Sequence, residues 1–189
     1  MVAISELIEY YKGIFTTLSS CASRQLEEVT FRRATISVPE LMATAGKYFR
    51  KVYKGNKAHI DFKIQPLEGR ITGDWHQLRF LLENLIDEAC SVTLDGAVCL
   101  SVREDGEFIR FLFTDMRREK TREELNQLFY PDLSRMTAGE KGELYGTEYL
   151  VCKQIIRDHD EFAGRRGCRI NAEPAEGGGF TVYFTIPRR

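Results

Sequence analysis

Two polar residues in a helix-like stretch are the first candidates for chemistry in this sequence. Between Gly73 and Thr93, leucines and other apolar residues recur at steps of three and four, which predicts an amphipathic helix over residues 74 to 93. Asn84 and Glu88 lie one turn apart at the edge of its apolar face. At such an edge an amide and a carboxylate can line a pocket between helix and sheet, where they can hold a metal ion or a polar ligand. The simpler alternative is that both side chains face solvent.

Composition restricts the classes of protein to which the chain can belong. It has 189 residues, of which 43% are hydrophobic and 29% are charged, and its net charge is -1; this fits one or at most two small globular units. The mixed charge offers no general electrostatic argument for a nucleic acid or an anionic membrane as partner. Five cysteines lie far apart without the spacing of a zinc site or a disulfide framework, so we expect a reducing compartment. No apolar run approaches the roughly 20 residues that cross a bilayer, and we expect this fragment to be cytoplasmic.

The longest periodic stretch lies at the amino terminus. Apolar residues recur at helical spacing over residues 3 to 28 without a proline, which predicts one long amphipathic helix. At about 25 residues it is longer than the mean globular helix of roughly 11 to 12 residues, which favours a hairpin or a dimer bundle. Packing of this helix against its own domain is the alternative. The plausible domain boundary falls near residue 30 and separates residues 1–30 from residues 31–189.

The rest of the chain alternates between strand and helix patterns. Strands are predicted at 34–38, 59–64, 69–72, 97–103, 108–114, 168–173 and 180–186, and further helices at 39–53, 122–129 and 146–160. The turn from Glu104 to Glu107 contains Asp-Gly, the strongest short-range signal for a hairpin. Residues 115 to 145 are charged and contain several glycines, so we interpret them as a long excursion rather than as core.

The order of these features resembles the catalytic ATP-binding domain of bacterial sensor histidine kinases, which belongs to the GHKL ATPases. The motifs that carry the resemblance are, in order, Asp74 with Leu78, Leu82, Asn84, Leu85, Ile86, Glu88 and Ala89; Phe113-Thr114-Asp115; Leu128-Phe129-Tyr130-Pro131; Gly146 before Lys153-Gln154-Ile155-Ile156 and His159; and Gly179 to Pro187. The resemblance covers about residues 34 to 187. In detail the chain is most similar to divergent carboxy-terminal domains of large sensor proteins from Bacteroides-type bacteria.

This resemblance implies a fold of the α+β class, a two-layer α/β sandwich preceded by one long amino-terminal helix. A mixed sheet of about five strands is expected to carry three helices on one face, with a nucleotide between them under a mobile lid. ATP and Mg²⁺ are the implied cofactors. The segment 74–93 resembles the family's asparagine box, in which Asn84 retains the first asparagine and Glu88 replaces the second, the magnesium ligand. Asp115 matches the aspartate that accepts a hydrogen bond from the adenine amino group, and Gly146 matches the middle glycine of the second glycine box.

The glycine boxes of the family are largely missing from this sequence. Arg117 and Glu119 stand where the first box has glycines, and the run Leu144-Tyr145-Gly146-Thr147-Glu148-Tyr149 stands where the family has GTGLGL. These glycines allow the backbone to approach phosphate oxygens at a helix start. A β-carbon blocks that approach, and Glu148 adds negative charge where a phosphate should bind. A carboxylate at Glu88 is nevertheless a better ligand for a hard cation than an amide.

Phosphotransfer also needs a histidine acceptor on an exposed helix. The chain has three histidines, His59, His76 and His159, and none lies in the predicted amino-terminal helix. By resemblance, that helix matches the second helix of a dimerisation hairpin, so we expect a homodimer and contacts to a response regulator or to neighbouring sensor domains. Under this interpretation the chain can be the cytosolic part of a membrane-anchored sensor. No catalytic residue is assigned.

Three functions stay open. The favoured one is a signalling and interaction module with an eroded nucleotide site and little or no ATP-dependent activity. The alternatives are a working Mg-ATP kinase domain with a remodelled site and, with less support, a histidine phosphotransferase.

Overall fold

The fold is known from a computed structural model of the chain. The structure describes residues 31–53, 55, 59–130, 137–138, 144–145 and 148–189. The predicted helix over residues 3–28 and the predicted site residue Gly146 lie outside this part of the chain.

Nine strands and four helices alternate along the described residues. In chain order they are β1 (Arg33–Ser37), α1 (Val38–Val52), β2 (Ile60–Gln65), β3 (Arg70–Asp74), α2 (Trp75–Cys90), β4 (Gly96–Asp105), β5 (Phe108–Asp115), α3 (Arg122–Gln127), β6 (Thr137–Ala138), β7 (Leu144–Tyr145), α4 (Glu148–Phe162), β8 (Ile170–Pro174) and β9 (Phe180–Pro187).

A five-stranded mixed sheet forms one layer of the domain. Its strand order is β2-β4-β5-β9-β8, in which β2 and β4 run parallel and the other neighbours run antiparallel. Strands β1 and β3 form a separate antiparallel ribbon, and the pairing of Ile71 with Arg188 attaches this ribbon to the end of β9. The predicted α+β sandwich with a mixed sheet is therefore confirmed.

The core lies between the sheet and helices α1, α2 and α4. Helix α2 buries the apolar stripe that the sequence predicts, Leu78, Leu81, Leu82, Leu85, Ile86 and Ala89. The sheet contributes alternate residues of β5, and Phe111 stacks on Phe184 of β9 with ring centroids 4.8 Å apart. Because the strand period is two and the helix period is 3.6, each element presents one continuous apolar face to the other layer.

Several element ends differ from the sequence-based prediction. Helix α2 ends at Cys90 rather than at residue 93, because the Ser91 hydroxyl donates to the carbonyl of Glu88 and the chain turns there. Helix α4 occupies Glu148–Phe162. The hairpin of β4 and β5 is confirmed, with Asp105 opposite Phe108 and Gly106 at a φ of 60°.

The interpretation of residues 115 to 145 as lying outside the core is wrong in part. A capping box starts α3, in which the Thr121 hydroxyl accepts from the Glu124 backbone and the Glu124 carboxylate accepts from the Thr121 backbone. The helix that begins at this capping box and the turn after it carry Leu125, Leu128 and Phe129, and all three side chains are buried in the core. Local capping together with apolar spacing thus makes this stretch part of the domain.

Two sets of polar contacts, one half-buried and one buried, connect the helices to their neighbours. The Asp87 carboxylate on α2 accepts hydrogen bonds from the hydroxyls of Tyr48 and Tyr53, which ties α1 to α2. His159 on α4 is buried, and its Nε2 accepts from the Asp74 backbone amide at 3.0 Å while its Nδ1 lies 2.8 Å from the Ile155 carbonyl. None of the helices in this part of the chain is long and apolar enough to cross a membrane.

Candidate functional site

The two predicted acidic site residues come from different layers of the fold. Glu88 lies in the last turn of α2, and Asp115 is the final residue of β5, where the strand leaves the sheet beside that helix end. The Asp115 side chain is 1% exposed and that of Glu88 is 14% exposed. The fold therefore holds two carboxylates largely away from water, which is costly unless each is paired.

Arg118 joins these two carboxylates. Its Nη1 and Nη2 donate to the two oxygens of Glu88 at 2.9 and 2.8 Å, and its Nε donates to Asp115 Oδ2 at 2.8 Å. The contact with Glu88 is the bidentate arrangement that makes arginine–carboxylate pairs strong. Burial opposes the charge of Arg118, but the hydrogen bonds and the charge of Glu88 outweigh burial and raise the pKa of Arg118 above its usual range.

Arg117 encloses Asp115 from the other side. Its backbone N–H and its Nε both donate to Asp115 Oδ1 at 2.9 Å, and its Nη2 donates to Asp115 Oδ2 at 2.8 Å. The same guanidinium donates to the carbonyls of Ala89 at 2.6 Å and Leu94 at 3.1 Å, so it also caps the end of α2. Burial alone would raise the pKa of Asp115, but the hydrogen bonds from Arg117 and the charge of Arg118 lower it.

Tyr149, in the first turn of α4, completes the group. Its hydroxyl donates to Glu88 Oε2 at 2.6 Å, and its ring packs edge-on against Phe129. Burial, followed by the charge of Glu88, raises the pKa of Tyr149 well above its usual value, so the hydroxyl keeps its proton and remains a donor. We call Glu88, Asp115, Arg117, Arg118 and Tyr149 the ion-pair network.

The start of β9 packs against the ion-pair network. The Arg118 guanidinium lies 5.4 Å and the Lys120 ammonium 5.3 Å from the ring centroid of Phe180, which is typical of cation–π contacts. The preceding Gly179 has a φ of 80°, and a β-carbon there would lie 2.7 Å from the Met116 Cα. Glycine is thus required at this position for β9 to pack against the backbone that follows Asp115.

The structure brings together only some of the residues predicted from sequence. Glu88 and Asp115 meet through Arg118. The Asn84 amide instead donates to the Phe80 carbonyl one turn earlier on its own helix, at 2.7 Å. Helix α4 was predicted over residues 146–160, and the structure describes it from Glu148, so an acidic residue lies in its first turn.

The partners of the two carboxylates were not predicted from the sequence. Arg117 was recognised only as a replacement for a glycine, and no role was assigned to Arg118 or Tyr149. The adjacent arginines directly after the predicted adenine-binding aspartate were the available signal, because a buried aspartate at a strand end needs a nearby cation.

The network leaves little for a nucleotide or a metal ion to bind. Each oxygen of Asp115 accepts two hydrogen bonds, and both oxygens of Glu88 accept from Arg118. An adenine amino group or a Mg²⁺ ion would have to share oxygens that are already in use. Among the described residues, no group of three His, Cys, Asp or Glu side chains could hold a metal ion. In this conformation the oxygens of Glu88 and Asp115, the two predicted acidic residues that the structure describes, are not free to hold ATP with Mg²⁺.

The sequence matches one known protein family. The family model described as histidine kinase-, DNA gyrase B- and HSP90-like ATPase matches residues 73–189. That range starts just before α2 and contains the whole ion-pair network. No curated protein sequence is significantly similar to the chain.

Solved histidine kinases are similar to this chain in structure. The catalytic domain of the histidine kinase ThkA is 19% identical with a TM-score of 0.64, covering 83% of this chain and 96% of that one. The Acinetobacter baumannii histidine kinase AdeS is 14% identical with a TM-score of 0.67, over 95% of this chain and 79% of that one. Full-length ShkA in complex with AMPPNP is 16% identical with a TM-score of 0.70, over 99% of this chain and 38% of that one. At these identities the likeness shows the fold alone.

Proposed function

Because this chain belongs to the histidine kinase-, DNA gyrase B- and HSP90-like ATPase family, we propose that it is a sensor-kinase domain whose nucleotide site has become an internal ion-pair network. In this proposal the domain works as a signalling and interaction module with little or no ATP-dependent activity. The observation that carries the proposal is the bridge from Arg118 to both Glu88 and Asp115.

Charge balance within the network supports this proposal. Two carboxylates, Glu88 and Asp115, face two guanidiniums, Arg117 and Arg118, so the charges of the group balance without a bound metal ion. Breaking a buried ion pair on one side leaves an uncompensated charge and typically costs about 3–5 kcal/mol. A nucleotide would have to supply that energy before it gained any contact of its own.

The start of α4 adds a second obstacle to a triphosphate. Anions bind at helix amino termini because free N–H groups and the helix dipole favour negative charge there. Glu148 already places a carboxylate in this first turn. A phosphate at the same position would meet a like charge, which weakens binding further.

The output of such a module is contact with other proteins. We include in the proposal a homodimer through the helix predicted over residues 3–28, and contacts to a response regulator or to neighbouring sensor domains. The basis is the long apolar stripe in that sequence, which needs a partner surface.

Isothermal titration with ATP and Mg²⁺ tests the proposal. We expect no binding tighter than about 100 μM, which corresponds to roughly -5.5 kcal/mol. Arg118→Ala removes the bridge and is expected to improve nucleotide affinity relative to the wild type, whereas Arg79→Ala on the exposed side of α2 leaves it unchanged. Tight binding by the wild type that Asp115→Asn weakens would overturn the proposal.

The main alternative is a working Mg-ATP kinase domain in which Arg118 turns away when nucleotide enters. The observation in its favour is that Glu88 and Asp115 lie close enough to share the Arg118 guanidinium. Both carboxylates would therefore face the space that Arg118 leaves when it turns away. The same titration decides between the two, since this alternative requires the wild type to bind.

A phosphotransferase has less support. His159 is buried with both ring nitrogens in contact with backbone groups, so it offers no nitrogen to a phosphoryl donor. The exposed His59 and His76 lie within the ATPase-like domain rather than in the predicted dimerisation helix. Incubation with a phosphorylated receiver domain, with no label appearing on this chain, would dismiss this function.

A further inference from the structure

A basic cleft lies at the opposite end of β9 from the ion-pair network. Phe180 starts β9 opposite Asp115, and Pro187 ends it opposite Phe108, which places the two regions roughly 23 Å apart along the strand. The cleft has a volume of about 620 Å³, and four of its ten lining residues are arginines, with no aspartate or glutamate among them. We call Arg33, Arg165, Arg188 and Arg189 together with this space the arginine cleft.

Backbone contacts and one glycine fix the position of these arginines. The Arg33 guanidinium lies against Gly164, which has a φ of 91° and where a β-carbon would lie 2.5 Å from Arg33 Cζ. The Arg189 backbone amide donates to the Arg70 carbonyl at 3.0 Å, and its guanidinium donates to the Thr35 hydroxyl. The cleft is therefore formed by β1, the turn after α4 and the end of β9, all held by the fold.

Positive charge in the arginine cleft exceeds its local compensation. Arg165 pairs with Glu107, and Arg188 pairs with Glu104 at 3.0 Å; these carboxylates are 72% and 54% exposed, so both pairs are weak surface contacts. Within the part of the chain that the structure describes, Arg33 and Arg189 have no carboxylate within ion-pair distance. Among the described side chains, four guanidiniums thus share two solvated carboxylates.

This arrangement matches one class of ligand. The planar fork of arginine binds phosphate oxygens through two parallel hydrogen bonds. A volume of about 620 Å³ falls within the range of small-molecule sites, roughly 300–1,000 Å³. We propose that the arginine cleft binds a soluble anion of nucleotide size that carries one or more phosphate groups, since the two guanidiniums in excess match the charge of about -1.5 to -2 on a phosphate group near pH 7. This site is separate from the nucleotide position of the family and goes beyond the function proposed above.

Titration of the full chain with inorganic pyrophosphate tests the inference. We expect measurable heat that weakens as salt rises, because exposed charges are screened. The cleft variant Arg33→Gln/Arg189→Gln should lose about tenfold or more in affinity, given the strength of charge-assisted hydrogen bonds. Its matched control, Arg79→Gln/Arg122→Gln, removes the same charge from exposed positions elsewhere and should stay within about twofold of the wild type.

The outcomes separate specific binding from nonspecific attraction and from the other site. No heat with the wild type, or an equal loss in both double variants, would overturn the inference. Binding that Asp115→Asn abolishes while the cleft variant retains it would place the ligand at the ion-pair network and would also overturn it. Arg165→Gln provides a second cleft variant if the double variant shows an altered urea midpoint. Success or failure here leaves the ATP titration of the wild type unaffected, so the two proposals are tested independently.

Discussion

Replacement of Arg118 by methionine is the sharpest test of the ion-pair network. Methionine keeps the length of the side chain but removes its charge and all three hydrogen bonds to Glu88 and Asp115. Asp115 keeps Arg117, whereas Glu88, among the contacts that the structure describes, keeps only the Tyr149 hydroxyl. Removing one partner of a buried pair costs about 3–5 kcal/mol, and because Glu88 retains some contact with water we expect the lower end, about 3 kcal/mol at pH 7.

Urea unfolding measures this loss. With a slope of about 2 kcal/mol per molar urea, a loss of about 3 kcal/mol moves the midpoint down by roughly 1.5 M. Arg79→Met is the matched control, since Arg79 is 45% exposed and pairs with Glu83 at 3.5 Å on the same helix. Such a surface pair is worth about 0.5 kcal/mol or less.

A double-mutant cycle with Glu88→Gln isolates the pair itself. Residues that share one hydrogen-bonded network show coupling of about 0.5–3 kcal/mol, whereas independent sites add within about 0.5 kcal/mol. If Arg118→Met costs no more than Arg79→Met, or if the two network substitutions are additive, the bridge does not hold this site together. Arg118 would then present no energetic barrier to nucleotide binding.

Three other substitutions test the fold that positions the site. Burial lowers the pKa of His159 from its usual 6.5, so the unfolded chain takes up the proton first. The free energy of unfolding therefore falls as pH drops below 6.5, by up to about 1.4 kcal/mol per pH unit. In urea titrations at several pH values, His159→Gln should remove this part of the pH dependence, and the control variant His76→Gln, at an exposed position, should keep it. Gly179→Ala should cost about 3 kcal/mol or more in urea unfolding because of its positive φ and the nearby backbone, whereas Gly106→Ala, with open space around it, should cost about 1 kcal/mol; equal losses would contradict the close packing. Asp87→Ala leaves the hydroxyls of Tyr48 and Tyr53 without their acceptor and should lower the free energy of unfolding, measured by thermal denaturation, by about 2 kcal/mol. A change below about 0.5 kcal/mol would show that these contacts are not formed.

Patterns of period two and 3.6 were sufficient to predict most of the architecture from the sequence. The apolar stripe of α2, the hairpin of β4 and β5 and the glycine turn before β9 each depend on neighbours within a few residues. Asp74 illustrates the same point, because it caps α2 through the Gln77 amide three residues later. The order of these elements was specific enough to indicate the family, which the match over residues 73–189 confirms.

The contents of the site could not be predicted in this way. Asp115 and Glu88 were recognised as candidates, but whether they were free to bind a ligand depended on where Arg117 and Arg118 point. That direction is set by the chain after β5 as it turns back towards the end of α2, where Arg117 also meets the Ala89 carbonyl. The sequence by itself therefore determined the elements and the acidic positions, because local periodicity and capping encode them. Only the tertiary structure decided that the acids are paired within the protein, because burial and charge compensation arise between residues that are distant along the chain.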